Sequence, residues 1–174
     1  MSADEGTRTL VVIRHAAAEA DGPTDAERRL SERGHADAAA VGAWLSSLGV
    51  APDHAVVSAA VRTVQTFDDI ADAAGWDLEP DVDESLYAAG PETALDLLRT
   101  VPDDVRTLVV VGHNPTMASL AQLLDDGEGD LDAGNRLALG YPPSATTVLS
   151  YDGDWEHLSD ASASVVAFFV GGGR

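Results

Sequence analysis

Leu10-Val11-Val12-Ile13-Arg14-His15 and Leu108-Val109-Val110-Val111-Gly112-His113 are near-repeats: four apolar residues, one linking residue, then a histidine. Runs this short and this uniformly apolar are strands covered on both faces, because a half-exposed strand would alternate. Both read as central strands of one sheet, each delivering a histidine at its carboxyl end. Residues 55–57 form a third, shorter candidate. Residues 146–151 and 155–158, separated by Asp152-Gly153-Asp154, read as a late hairpin.

Between these runs the period becomes helical. Ala60, Val64, Phe67, Ala71 and Ala74 lie on one stripe that stops at Gly75. Val41, Trp44, Leu45 and Leu48 predict an earlier helix, N-capped by Ser31 and stopped at Gly49, while Met117, Leu120, Ala121 and Leu124 predict a later one. Residues 91–99 predict a fourth. Residues 125–135, acidic and glycine-containing, read as a surface loop. Strands alternating with helices predict an α/β protein, a three-layer α/β/α arrangement with a mostly parallel central sheet, whose ligands bind at the carboxyl ends of the strands. No repeat or low-complexity linker divides the chain, so residues 1–174 are expected to form one domain.

Composition removes whole classes of function. The chain has no cysteine, which excludes disulfide frameworks, thiolate metal sites and a cysteine nucleophile. Ten basic residues, all arginine, stand against 30 acidic ones, mostly aspartate, for a formal charge of −20. Such a surface repels nucleic acid and anionic lipid, so neither is an expected partner. Charge of this kind also fits a salt-adapted or high-GC proteome and speaks to solubility rather than fold. No apolar run approaches the roughly 20 residues of a membrane helix, and residues 1–8 lack a signal pattern; a cytoplasmic protein is expected.

On so acidic a chain, arginines gathered near histidines stand out. The first strand ends in Arg14-His15. The second runs through Gly112 into His113, and Asn114-Pro115 then reads as an N-cap and first helical residue, which would set His113 beside free amides at a positive helix end, an anion site. The third strand ends at Ser58, and Arg62 follows in the opening turn of its helix, off the apolar stripe. A strand-end histidine or a first-turn arginine, taken alone, is usually an ordinary surface residue. Two imidazoles and two guanidiniums on one sheet edge form a pattern suited to phosphate, whose oxygens match the guanidinium fork.

These residues carry a resemblance. Arg14-His15-Ala16 after a strand, Ser58 with Arg62-Thr63 and Thr66 downstream, and Gly112-His113-Asn114-Pro115 resemble, in order and spacing, the histidine phosphatase superfamily, with its phosphoglycerate-mutase-like fold. Leu30-Ser31-Glu32-Arg33-Gly34 and Glu84-Ser85-Leu86-Tyr87 resemble segments of its short bacterial branch, the signal-inhibitory phosphohistidine phosphatases. The resemblance spans roughly residues 9–145 and departs at Ala16, where the superfamily usually has glycine.

The resemblance implies that His15 takes the phosphoryl group as nucleophile, that Arg14, Arg62 and His113 surround the phosphate, and that water then releases inorganic phosphate with no metal or cofactor. A neutral His15 ring, its tautomer fixed by a nearby carbonyl, would suit that role. Asn114 is a further candidate binder. Arg28 is either another phosphate contact or half of a solvated pair with Arg29. Glu84 matches the region that supplies a general acid in larger members, or else belongs to a solvated acidic loop with Asp81, Asp83 and Glu92. His35, His54 and His157 match no motif. The implied substrate is protein phosphohistidine or another small phosphomonoester. The rival readings are a phosphoglycerate-mutase-type phosphotransferase or small-metabolite phosphatase, a noncatalytic phospho-ligand binding module, and a metal-dependent hydrolase using both histidines.

Overall fold

The computed structural model describes residues 6–173; most of the 1–8 leader considered above lies outside the described residues. Six strands and five helices follow in the order β1 (Thr7–Arg14), α1 (Glu32–Ser47), β2 (His54–Ser58), α2 (Val61–Ala74), β3 (Asp81–Asp83), α3 (Pro91–Arg99), β4 (Thr107–Gly112), α4 (Thr116–Leu124), α5 (Leu131–Leu139), β5 (Thr146–Asp152) and β6 (Ala163–Phe169). Three short 3-10 turns, Asp25–Glu27, Glu84–Leu86 and Trp155–His157, sit in the connections. The sheet order is β3-β2-β4-β1-β5-β6. Its β3-β2, β2-β4 and β4-β1 pairings are parallel, and the β1-β5 and β5-β6 pairings antiparallel.

The apolar runs behave as strands buried on both faces. Leu10 and Val12 of β1 join Leu108 and Val110 of β4 in a core closed by α3, α4 and α5. Val11 and Ile13 turn the other way, with Val109 and Val111, onto Val41 and Leu45 of α1 and Phe67 and Ile70 of α2. Alternation by two thus feeds both layers from the same strand. Each such residue is wholly buried, a contribution of about 1.5–3 kcal/mol apiece.

The late hairpin takes a different course from the expected one. Residues 155–158 make no strand: Trp155 turns inward, fully buried, and its ring N–H donates to the Val105 carbonyl at 2.8 Å. That anchor pulls residues 155–157 into a 3-10 turn, and β5 pairs instead with β6. The acidic stretch also departs from expectation after Asp130. The Asp130 carboxylate accepts the Ala133 N–H at 2.8 Å as an N-cap, and Ala133 and Leu137, one turn apart, bury the face of α5. His54 opens β2 rather than lying in a loop.

Candidate active site

Strand register brings the site together. β1 and β4 pair in parallel from Thr9↔Thr107 to Arg14↔Gly112, so the next residue on each strand is a histidine beside a histidine. The His15 N–H donates to the Gly112 carbonyl at 3.0 Å, and the two rings lie 5.5 Å apart, tilted by 60°. β2 lies on the other side of β4, bringing Ser58 to the same edge, and β3 pairs Asp83 with Ser58.

Each ring is held by one nitrogen. His15 Nδ1 lies 2.7 Å from the Ala16 carbonyl oxygen; a carbonyl only accepts, so Nδ1 carries the proton and Nε2 keeps its lone pair. Burial foremost holds the His15 pKa at about 4; the Ala16 bond, next in size, opposes it, and the charges of Arg62, His113 and Arg14 add to the lowering. His113 Nε2 lies 2.7 Å from Ser58 Oγ, and its Nδ1 accepts a long contact of 3.4 Å from Arg62 Nη2. A guanidinium only donates, so Nε2 carries this proton and gives it to Ser58. Burial and the Arg62 charge bring the His113 pKa to about 4 as well. Both imidazoles are therefore neutral near neutral pH.

The arginines arrive from opposite sides. Arg14 Nη1 donates to the Tyr141 carbonyl at 3.0 Å. Arg62, 7% exposed, donates through Nη1 to the Asp25 carbonyl at 2.7 Å and through Nη2 to Asp25 Oδ2 at 3.1 Å. Both retain a buried Nε–H without a partner. Two guanidiniums beside two neutral imidazoles suit an anion with several oxygens.

The motif residues around Arg62 serve this geometry. Thr63 Oγ1 donates to the Ser58 carbonyl at 2.6 Å, and Thr66 Oγ1 accepts the Ala16 N–H at 3.0 Å, fixing the backbone that carries the His15 acceptor. The α1 N-terminus supports the same loop. Ser31 N–H donates to the Ala17 carbonyl at 3.0 Å, and Ser31 Oγ accepts the Gly34 N–H at 3.1 Å. A Cβ on Gly34 would stand 1.9 Å from the Ala17 oxygen, so only glycine allows this approach.

The remaining candidates are placed as follows. Asn114 Nδ2 donates to the Tyr141 carbonyl at 2.8 Å, the same oxygen that Arg14 uses, so its side chain braces the scaffold. α4 begins one residue later than expected, with Pro115 at the N-cap. Its second and third amides are not free: Met117 N–H donates to the His113 carbonyl at 2.8 Å and Ala118 N–H to Asn114 Oδ1 at 3.2 Å. Arg28 donates to Asp25 Oδ1 at 2.9 Å and to the Glu19 carbonyl at 2.9 Å, joining the site through Asp25. Glu84 is exposed at the start of its 3-10 turn, where its carbonyl accepts the Tyr87 N–H at 3.2 Å, and its side chain makes no hydrogen bond or ion pair among the described residues. Two residues went unassigned in the sequence. Tyr87 sets its ring 5.4 Å from that of His113, edge-on, and its hydroxyl donates to Asp25. Asp25 was one acid among 30 and carried no signal apart from its i,i+3 relation to Arg28.

A sequence profile of the histidine phosphatase superfamily (branch 1) matches residues 10–88, which carry Arg14, His15 and Arg62. A SixA phosphohistidine phosphatase structure from Nakamurella multipartitia is 32% identical, covers 96% of this chain and 98% of its own, and superposes with a TM-score of 0.83. The chain belongs to the histidine phosphatase superfamily. It falls in the SixA-like branch. The SixA structure from Agrobacterium tumefaciens gives 27% identity, coverage of 93% and 97%, and a TM-score of 0.77. An uncharacterized Mycobacterium tuberculosis protein is 36% identical over 160 residues, which is 91% of this chain and 99% of that one. A phosphoglycerate mutase from Plasmodium falciparum, 16% identical with a TM-score of 0.61 over 92% of this chain and 89% of its own, shares the fold. The family profile thus covers the first histidine strand and Arg62, and the match to relatives of this histidine phosphatase extends over nearly its whole length. Among the described residues, no helix is long and apolar enough to cross a membrane.

Proposed function

We propose that this phosphatase hydrolyses phosphohistidine in proteins, or phosphomonoesters, through a phosphohistidine enzyme intermediate formed on His15 and without a metal. The observation that carries the proposal is the His15 Nδ1–H bond to the Ala16 carbonyl, which leaves a neutral ring with its Nε2 lone pair available. In the first step Nε2 forms a P–N bond as the bond from phosphorus to the substrate nitrogen or oxygen breaks, and the leaving group takes a proton. In the second, water attacks phosphorus, the His15 P–N bond breaks, and inorganic phosphate departs.

Arg14, Arg62 and His113 supply the charge stabilisation. The guanidinium N–H groups of Arg14 and Arg62 would meet phosphoryl oxygens, and an incoming dianion would draw a second proton onto His113 Nδ1, turning an acceptor into a donor. Metal-free hydrolysis is supported by a donor set that already balances phosphate charge with guanidinium and imidazole. Glu84 is proposed as the proton donor to poor leaving groups. The substrate class is tested by side-by-side turnover of a phosphohistidine-bearing carrier protein, phosphoglycerate, sugar phosphates and an aryl phosphate in the presence of a chelator. Preference for the carrier protein is expected; preference for phosphoglycerate, or loss of activity with the chelator, overturns the reading.

A further inference from the structure

Asp25 lies on an exposed turn, yet two groups from distant parts of the chain, Arg62 and Tyr87, converge on it together with its neighbour Arg28. Arg62 donates to its backbone carbonyl and to Oδ2, the Tyr87 hydroxyl donates to the same Oδ2, and Arg28 donates to Oδ1. A solvated surface aspartate seldom gathers two guanidiniums and a phenol, and surface ion pairs alone are worth little. These bonds, that of Tyr87 foremost, hold the Asp25 carboxyl well below the usual carboxylate range, so it stays ionised and has no proton to give a leaving group.

Its geometry acts on the donors already described. Both terminal nitrogens of Arg62 bond Asp25, which stops the guanidinium from swinging and fixes its place beside His113. The Tyr87 hydroxyl is tied to the same carboxylate, and the Tyr87 ring edge abuts His113. The carboxylate thus holds Arg62 directly, whereas its tie to Tyr87 reaches His113 only through a ring contact. It also sets a negative charge on the very guanidinium that an incoming phosphate would use, and that charge repels a bound dianion.

We propose that Asp25 is a positioning residue that acts through Arg62, favouring the transition state over ground-state phosphate binding. This rests on the reading that Arg62 contacts the phosphoryl group. Fixed donors act where charge develops in the transition state, whereas a mobile arginine binds ground-state phosphate as readily and stabilises the transition state less well.

The test uses the full chain with Asp25→Asn, Arg62→Ala and the double variant, an aryl phosphate for kcat and KM, and inorganic phosphate as the titrated probe. Asp25→Asn keeps an oxygen acceptor on an exposed turn and should fold with an unchanged Tm. Its kcat should fall about tenfold or more with no rise in KM, and inorganic phosphate should bind at least as tightly as in wild type. In the Arg62→Ala background the same substitution should change kcat less than about twofold, because its route is already cut. An undiminished kcat in Asp25→Asn, an equal fold-loss with and without Arg62, or weaker phosphate binding together with a lowered Tm would each overturn the proposal. Full activity in Arg62→Ala alone would instead remove the reading of the site on which it rests.

Discussion

The carbonyl oxygen of Ala16 holds the Nδ1–H of His15 at 2.7 Å, from the residue immediately after it in the chain. That backbone is itself pinned, since Ala16 N–H donates to Thr66 of α2 at 3.0 Å. The tautomer of His15 is thus set by main chain that two other elements hold in place, α2 at Ala16 and the α1 N-terminus at Ala17. This is a local arrangement that alanine at position 16 serves as well as glycine, and Ala16 is fully buried.

Both site histidines should titrate near pH 4, well below the ordinary 6.5, when their ring resonances are followed by NMR in the free protein. Since the folded state binds these protons less readily than the unfolded chain, stability from this source is complete above about 6.5 and declines as pH falls through about 4. Saturating inorganic phosphate should raise the His113 midpoint. Midpoints near 6.5 in the free protein would show that the rings are not desolvated as described.

Arg62→Ala and His113→Ala should each cost about 2–4 kcal/mol of transition-state stabilisation, the loss typical of one preorganised oxyanion donor. Inorganic phosphate or tungstate should raise the Tm of wild type by mass action, and that rise should shrink in both variants. An unaltered rise in both would place the anion site elsewhere.

Gly34→Ala would drive a Cβ to 1.9 Å from the Ala17 carbonyl, against backbone that cannot step aside cheaply. A loss of about 1–3 kcal/mol in denaturant unfolding is expected. Turnover should fall too, since the displaced loop carries the His15 acceptor. Unchanged stability would mean that α1 does not brace this loop.

Strands β1, β2, β4 and β5, and the gathering of Arg14, His15, Arg62 and His113 at one sheet edge, were legible because an apolar run and the polar residues that follow it read the same in sequence as in space. Strand β3, three residues of which none is buried, and β6, the true partner of β5, were not. The 91–99 helix and the Gly75 stop were equally plain. Residues 155–158 misled because the apolar Trp155 and Leu158 mimic strand pattern, whereas the indole N–H finds a carbonyl 50 residues away. α5 hid behind the acidic, glycine-containing segment that leads into it. Asp25 and the orientation of Tyr87 were not legible at all, because a contact separated by 62 residues leaves no periodic trace.

Glu84→Gln separates leaving groups. An alkyl oxygen needs a proton to depart, whereas an imidazole, with an ordinary pKa of about 6.5, is readily protonated near neutrality. The variant should slow alkyl phosphates most, aryl phosphates less and phosphohistidine least. Equal loss on all three would assign Glu84 to positioning, and no loss would return it to the solvated acidic loop.

The most direct measurement is acid–base stability of the phosphorylated enzyme, trapped by rapid quench during turnover of a radiolabelled phosphohistidine carrier protein. The wild-type chain should carry label that is lost in acid and kept in base, as a phosphoramidate is, and His15→Ala should fold normally yet carry none and turn nothing over. Acid-stable label, or label and turnover that persist in His15→Ala, would contradict the account.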